Sequence, residues 1–146
     1  MKPVLVDTDI LINFLRGEQG VREFLVTQLE QGPILCSVIT VAEVYAGMRP
    51  HEKEQTDRLF DHLEMLPVTR QIAQKAGEYK REIKSHSLEL DDCLIAASAF
   101  LHKAALATGN VRHYPMDDLL KMVVSRSLKA VLNKIKHTPF PRTHSE

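Results

Sequence analysis

One short segment near the start of the chain constrains the fold more than any other. Residues 4–12 read Val-Leu-Val-Asp-Thr-Asp-Ile-Leu-Ile, an apolar strand that ends in a carboxylate and is followed at once by another apolar stretch. A strand without polar alternation is typical of the middle of a parallel sheet. Ligands of such sheets bind beyond the carboxyl ends of the strands, where Asp7 would lie. A carboxylate buried there needs a compensating partner, and we expect a metal ion.

The rest of the chain continues to alternate strand-like and helix-like segments. Apolar runs at 33–36, 65–68 and 104–107 read as strands, and helical patterns separate them. This alternation predicts an α/β fold, specifically a three-layer α/β/α sandwich with a central parallel sheet. With 146 residues, we expect one main domain at 1–118, followed by a basic C-terminal extension at 119–146 that is partly helical or frayed.

Charge is balanced overall but unevenly distributed. The chain has 19 basic and 19 acidic residues, so no global basic field indicates nucleic acid binding. The segment 121–142, however, carries six lysines and arginines and no acidic residue. A solvated basic tail is one interpretation, and help in holding a polyanion is the other. Within it, the stretch 119–135 could be helical.

The two cysteines and the lack of long apolar runs indicate where the protein acts. Cys36 and Cys93 stand in apolar surroundings without a partner motif, which favours buried free thiols in a reducing compartment. No apolar run approaches the length needed to span a bilayer. We therefore expect a cytoplasmic protein without a membrane partner.

Further acidic residues fall where a helix begins. Glu43 lies on an apolar helix for which Ser37 is the better N-cap candidate, and Asp91 and Asp92 precede a helix that is almost entirely apolar. Each has an ordinary alternative role: Glu43 in a capping box with Thr40, Asp91 as an N-cap, and Asp92 as an acid favoured by the helix dipole. In one parallel sheet these carboxylates can converge with Asp7.

A second cluster of polar residues follows the last predicted strand. The turn Thr108-Gly109-Asn110-Val111-Arg112-His113-Tyr114 lies at the same sheet edge as Asp7, although a plain Gly-Asn turn is an equal alternative. Thr108, Asn110 and His113 are its candidate functional residues.

Carboxylates gathered in this way must take up protons or bind a hard cation. Oxygen-only ligands suit Mg²⁺ or Mn²⁺ rather than zinc or copper, and the chain has neither a zinc-type histidine pair nor a Cys-x-x-Cys motif. Such an ion keeps water molecules, and one of them can attack phosphorus. Phosphodiester hydrolysis is a natural use of this chemistry.

Four ordered motifs resemble the PIN domain, most closely the VapC ribonuclease toxins of prokaryotic toxin–antitoxin pairs. They are Val-Asp-Thr-Asp-Ile-Leu-Ile at 6–12, Thr-Val-Ala-Glu-Val-Tyr-Ala-Gly at 40–47, Asp-Cys-Leu-Ile-Ala-Ala at 92–97 and Thr-Gly-Asn-Val-Arg-His-Tyr-Pro at 108–115. The resemblance implies a PIN-like nuclease domain over 1–118, a metal-dependent endoribonuclease activity, an antitoxin partner and a homodimer.

The resemblance also implies roles for individual residues. It makes Asp7, Glu43 and Asp92 the acidic metal-site residues. We expect Asp7 and Asp92 to hold Mg²⁺, with Mn²⁺ as the alternative ion, and Glu43 to bind or orient the ion through water. The remaining expectations are Asn110 as a fourth catalytic residue, Thr8, Asp9 and Thr108 as supporting residues, and Arg112 and His113 as contacts to substrate phosphate.

The chain departs from the family pattern at two places. It has Asp9 where the family commonly has Asn, which adds a charge to the first motif. It also lacks the fourth acidic residue that the last motif usually supplies, often where His113 stands, so a second metal ion would be held weakly or only with substrate phosphate present.

Two other functions compete with the nuclease. The Asp7-Thr8-Asp9 segment is similar to the nucleophile and acid pair of haloacid-dehalogenase-like phosphatases, although Ile10 and Leu11 replace the turn that those enzymes need. A catalytically weak RNA-binding or interaction module is the other alternative, because of the missing acid.

The antitoxin is expected to bind an apolar groove. Its predicted lining residues are Phe14, Leu15, Phe24, Leu25 and Leu59, which could equally be ordinary core residues of their helices.

Overall fold

A computed structural model describes residues 2–84 and 87–127. Its strands are β1 (Val4–Val6), β2 (Ile34–Ser37), β3 (Glu64–Leu66), β4 (Ala105–Thr108) and β5 (Lys121–Val123). Its helices are α1 (Thr8–Leu15), α2 (Gln19–Gln31), α3 (Val38–Gly47), α4 (Lys53–Asp61), α5 (Arg70–Glu82) and α6 (Leu90–Leu101), with short 3-10 turns at Pro50–Glu52 and Val111–His113. No helix in these ranges is long and apolar enough to cross a membrane.

The five strands form one parallel sheet in the order β3-β2-β1-β4-β5. Strands β1, β2 and β4 are buried along their whole length, as the unalternating apolar runs predict. The predicted α/β/α sandwich around a parallel sheet is confirmed.

Alternate strand residues face two separate apolar layers. One layer lies under α5 and α6 and includes Leu5, Leu35, Leu66, Leu106, Ile72 and Ile95. The other lies under α1 to α4 and includes Val4, Val6, Ile34, Cys36, Ile10, Leu25, Val44 and Leu59. Burying each such side chain contributes roughly 1.5–3 kcal/mol to folding, so both faces of the sheet are committed to the core and only its edges can carry a site.

The strand order reverses between β1 and β4, because the chain first adds strands on one side of β1 and then on the other. A crevice opens at such a point beyond the carboxyl ends of the strands. Asp7 directly follows β1 and Thr108 ends β4, so the fold brings the first and last motifs together there.

The region after residue 118 corrects one prediction and leaves another open. The proposed helix over 119–135 is wrong at Lys121–Val123, which pairs with β4 as an edge strand. This short segment, of which only Val123 is β-branched, gains more from extending the sheet than from its local helix propensity. Residues 128–146 lie outside the described residues, so the division of the chain at 118 stays a prediction.

The segment that follows β5 packs closely against the start of α2. The Gly20 amide donates to the Arg126 carbonyl at 3.0 Å. A Cβ atom on Gly20 would lie 2.3 Å from the Ser125 carbonyl oxygen, so only glycine permits this approach. The described part of the C-terminal extension is therefore joined to the α1–α2 side of the molecule.

Candidate active site

Three donors hold Asp7 at the switch point of the sheet, the place between β1 and β4 where the strand order reverses. Its Oδ1 accepts hydrogen bonds from the Thr8 amide and the Tyr114 hydroxyl, and its Oδ2 accepts one from the Thr108 hydroxyl, all at 2.8 Å. It is also the N-cap of α1, so it has a structural role as well as its place in the site. Burial raises the pKa of this carboxyl, against the lowering effect of the three hydrogen bonds.

Thr8 joins the first motif to the helix that carries Glu43. Its hydroxyl donates to Glu43 Oε1 at 2.5 Å and lies 3.0 Å from the Thr40 hydroxyl. Ser37 caps α3, as predicted, by accepting from the Ile39 amide. Glu43 is therefore not a capping residue and lies in the second turn of the helix, turned toward the site.

Glu43 lies close to other acidic side chains, which affect its pKa. Burial raises the pKa of Glu43 to about 7, followed by a hydrogen bond with the Asp91 carboxyl and by the charges of Asp91 and Asp92. The same hydrogen bond lowers the pKa of Asp91. Asp91 does not take its alternative role as the N-cap of α6, because the N-cap is Glu89, one residue before the helix.

Asp92 lies in the first turn of α6 and faces the last motif. Its Oδ2 accepts from the Glu89 amide at 3.0 Å and from His113 Nε2 at 2.8 Å. The side chain of Asp92 is only 16% exposed. His113, at the position where the family often has an acid, is therefore a hydrogen-bond donor to Asp92.

Asp9 extends across the crevice to the turn that follows β4. Its Oδ2 accepts from the Gly109 amide at 3.0 Å, whereas its Oδ1 is buried with no hydrogen-bond partner among the described residues. Burial raises the pKa of Asp9 to about 6, with the charge of Asp7 as the next cause.

The two remaining predicted residues lie at the rim. Asn110 is exposed, and its backbone amide donates to the Thr108 hydroxyl at 3.1 Å. Arg112 is exposed too, and no described residue forms a hydrogen bond or ion pair with its side chain. Neither side chain forms a hydrogen bond or ion pair with a described acidic residue.

Tyr114 is a site residue that the sequence analysis missed. It is completely buried, and its hydroxyl donates to Asp7. A buried tyrosine needs a partner for its hydroxyl, and its place in the polar turn after β4 was the available signal. His113 and Tyr114 are adjacent, so one short turn donates to both Asp92 and Asp7.

We call Asp7, Asp9, Glu43, Asp91 and Asp92 the acidic cluster. Its members repel each other electrostatically, since the charge of Asp92 raises the pKa of Asp7 and the charge of Asp7 raises the pKa of Asp9. Such mutual repulsion is what a divalent cation relieves.

The side chains of the acidic cluster offer only oxygen donors to a metal ion. Within residues 2–84 and 87–127, no three acidic, histidine or cysteine side chains form a ready-made metal-ligating group. Mg²⁺, however, usually binds through one or two carboxylates and keeps several waters. An all-oxygen donor set, mutual repulsion and the unpartnered Asp9 Oδ1 fit such an ion.

Comparison with known proteins agrees with the fold and the motifs. The PIN domain family model matches residues 4–119. Ribonuclease VapC10 of Mycobacterium tuberculosis is 42% identical over 120 residues, which are 81% of this chain and 90% of that protein. The chain therefore belongs to the PIN-domain family, as its motifs predicted, and the haloacid-dehalogenase alternative is set aside.

Solved structures give the same answer for the fold. The crystal structure of VapBC2 from Rickettsia felis bound to a promoter DNA fragment has a TM-score of 0.73 and 21% identity, covering 84% of this chain and 99% of that chain. A toxin–antitoxin complex from Klebsiella pneumoniae has a TM-score of 0.65 and 27% identity, covering 80% of this chain and 95% of that chain.

Proposed function

We propose that this protein is a Mg²⁺-dependent endoribonuclease, the toxin of a type II toxin–antitoxin pair. The observation that carries the proposal is the acidic cluster: several carboxylates meet at the switch point of the sheet, and within the described chain no lysine or arginine neutralises them. Likeness to ribonuclease VapC10 over most of the chain supports RNA as the substrate.

Asp7 and Asp92 would hold the ion, with Glu43 binding or orienting it through water. A bound Mg²⁺ supplies Lewis-acid activation of the attacking water and neutralises charge on the phosphate. The chain itself fixes the carboxylates: Tyr114 and Thr108 orient Asp7, and His113 orients Asp92. Thr8 keeps Glu43 turned toward Asp7.

Substrate binding would use the rim rather than the cluster. Arg112 is exposed and unpaired in the described structure, so its guanidinium is available to a phosphate oxygen, and phosphate contacts position RNA without reading its sequence. Asn110, beside it, can hydrogen-bond a phosphate or a coordinated water.

The first test is RNA cleavage by the purified protein with Mg²⁺ and with excess EDTA. We expect chelation to stop cleavage. Asp7→Asn should reduce cleavage at least about a hundredfold, because removing a metal ligand should cost no less than removing a residue that orients it. Asn remains a good N-cap, so α1 should persist. Asp118→Asn, an acid outside the cluster, is the matched control and should cleave normally.

Full activity of Asp7→Asn, or cleavage that continues in excess EDTA, would refute the proposed metal-dependent site. Calorimetric titration with Mn²⁺ then separates the alternatives. No binding by the wild type at millimolar Mn²⁺ would favour a non-catalytic RNA-binding module.

The antitoxin would bind an apolar groove between α1, α2 and α4. The groove measures about 290 Å³, and three of the predicted residues line it, namely Phe14, Leu25 and Leu59. Leu15 lines the neighbouring groove between α1 and α3, and Phe24 lines neither. Val26 and Leu29 border the groove and are 46% and 38% exposed, which suits the apolar face of a partner helix.

Replacing both border residues tests the groove. Val26→Glu/Leu29→Glu should still cleave RNA but escape inhibition by the co-expressed antitoxin, whereas Leu120→Glu, at an exposed position on the β5 side, should remain inhibited. Inhibition of the double variant at wild-type antitoxin levels would place the partner elsewhere. Homodimer formation and a cytoplasmic location stay predictions, and analytical ultracentrifugation checks the first.

A further inference from the structure

One oxygen atom in the acidic cluster lacks a partner. Asp9 Oδ1 is buried and forms no hydrogen bond with a described residue, although the Ile10 amide is near enough to lower the pKa of the carboxyl and Oδ2 accepts from Gly109. Buried carboxylate oxygens are almost always satisfied, because leaving one unpaired costs folding free energy. A site that leaves such an oxygen open is arranged to receive something else.

The position of Asp9 connects it with the motif that lacks an acid. Asp9 stands in the first turn of α1, two residues after Asp7, and its partner Gly109 belongs to the turn after β4. A Cβ atom on Gly109 would lie 2.8 Å from Asp9 Oδ2, so the absence of a side chain there allows the contact. Asp9 is thus the residue by which the first motif reaches the last one.

The surrounding charges place Asp9 in the same cluster as the candidate ligands. Asp7 raises the pKa of Asp9 electrostatically, after burial, and His113 lowers it. His113 in turn donates to Asp92. Asp9 is therefore influenced by the charge of Asp7 and by that of the histidine that contacts Asp92.

We propose that Asp9 is the fourth acidic residue of the cation site, its Oδ1 binding the divalent ion directly or through one water. The carboxylate that the turn after β4 lacks is supplied instead from the first turn of α1. An asparagine at this position would present an amide N–H₂ and no charge. The inference rests on the proposed metal-dependent function and adds a residue to it.

Asp9→Asn tests this with little change of shape. Asparagine keeps an oxygen for the Gly109 amide, removes the charge and places a donor where Oδ1 stands. With EDTA-treated protein and Mn²⁺ as the probe, we expect calorimetric affinity to fall at least about tenfold. The thermal midpoint of the metal-free variant should stay the same or rise, because an unpaired buried charge is gone.

A purely structural role for Asp9 predicts the opposite result, a lower midpoint with unchanged Mn²⁺ affinity. Asp61→Asn removes an exposed charge from the end of α4 and serves as the matched control for net charge, with affinity expected to be unaltered.

A second variant tests the replacement itself. Asp9→Asn/His113→Asp returns the carboxylate to the last motif and should recover at least part of the lost affinity. Loss in the single variant without recovery in the double would overturn the replacement of one acid by the other. Equal Mn²⁺ binding by wild type and Asp9→Asn would overturn this inference alone, whereas a wild type that binds no Mn²⁺ would overturn the proposed function with it.

Discussion

Two tyrosine–aspartate hydrogen bonds in this protein have the same length but different surroundings. Tyr114 donates to Asp7 and Tyr79 donates to Asp118, both at 2.8 Å. At the second pair Lys75 Nζ lies 2.9 Å from Asp118 and 4.7 Å from the centre of the Tyr79 ring. At the first, no described lysine or arginine takes this place.

The two aspartates ionise differently as a result. Burial raises the pKa of each, but at Asp118 the hydrogen bonds from Lys75 and Tyr79 outweigh it and the net shift is downward. At Asp7 the protein's donors do not outweigh burial, and the pKa stays raised. Part of the contrast is depth, since Asp7 is 7% exposed and the Asp118 side chain 41%. The rest comes from Lys75, a cation that the fold places beside Asp118 and that has no lysine or arginine counterpart beside Asp7 among the described residues.

Removing the two hydroxyls in turn should give the largest difference between the pairs. We expect Tyr114→Phe to lower RNA cleavage roughly 10- to 100-fold, because Asp7 loses a donor that orients it. Tyr79→Phe should leave cleavage unchanged and lower the free energy of unfolding by about 1 kcal/mol. Steady-state cleavage and urea denaturation of both variants measure this, and equal losses of activity would mean that the pairs are equivalent.

The acidic cluster should also make the stability of the metal-free protein depend on pH in the direction opposite to that given by an ordinary acidic group. The pKa values of Asp9 and Glu43 are raised in the folded protein to about 6 and about 7, so between their unfolded and folded values the folded state binds more protons. Stability of the metal-free protein should therefore fall as pH rises from about 4 to about 7. Asp118, with a lowered pKa, contributes stability above its unfolded value that is lost as pH falls.

Thermal melts between pH 5 and pH 8 check this slope. Added Mg²⁺ should reduce it, because the ion replaces protons on the carboxylates. Asp118→Asn should keep the slope, and Asp9→Asn should flatten it. A midpoint that rises with pH in the absence of metal would contradict the raised pKa values.

The smallest effect is expected from the lysine that distinguishes the two pairs. Lys75→Met keeps an apolar stem beside Phe100 and removes a partly exposed ion pair, so stability should fall by at most about 1 kcal/mol. RNA cleavage should not change. A large loss of activity would show that the Asp118 pair and the acidic cluster are coupled.

The sequence was sufficient for the fold because its strongest signals are local. The unalternating strand Val4–Val6 is followed by the cap residue Asp7, and the strand Ile34–Ser37 ends in the cap residue Ser37. Strands of this kind leave little choice but a parallel sheet with helices on both faces. The error at Lys121–Val123 arose because an edge strand depends on a partner 15 residues earlier in the chain, Leu106–Thr108, that local propensity does not reveal.

The acidic cluster was predictable only as a set of residue types at one sheet edge. Asp7, Glu43 and Asp92 follow from their places after strands and at helix starts. The partners that hold them do not: the Tyr114 hydroxyl is 107 residues away from Asp7, and the Asp91 carboxyl faces Glu43 rather than capping its own helix. Such contacts depend on the angle at which helices meet the sheet, which side-chain type alone does not fix.

The double engagement of Asp7, as N-cap and as cluster member, affects how genetic data on this protein should be read. If the protein arrests growth, a selection for surviving cells would recover substitutions at position 7 both because chemistry is lost and because α1 no longer starts correctly. Glu43 caps nothing, so survivors altered there would point to the reaction more directly. A survivor screen should therefore give more weight to substitutions of Glu43 than to substitutions of Asp7.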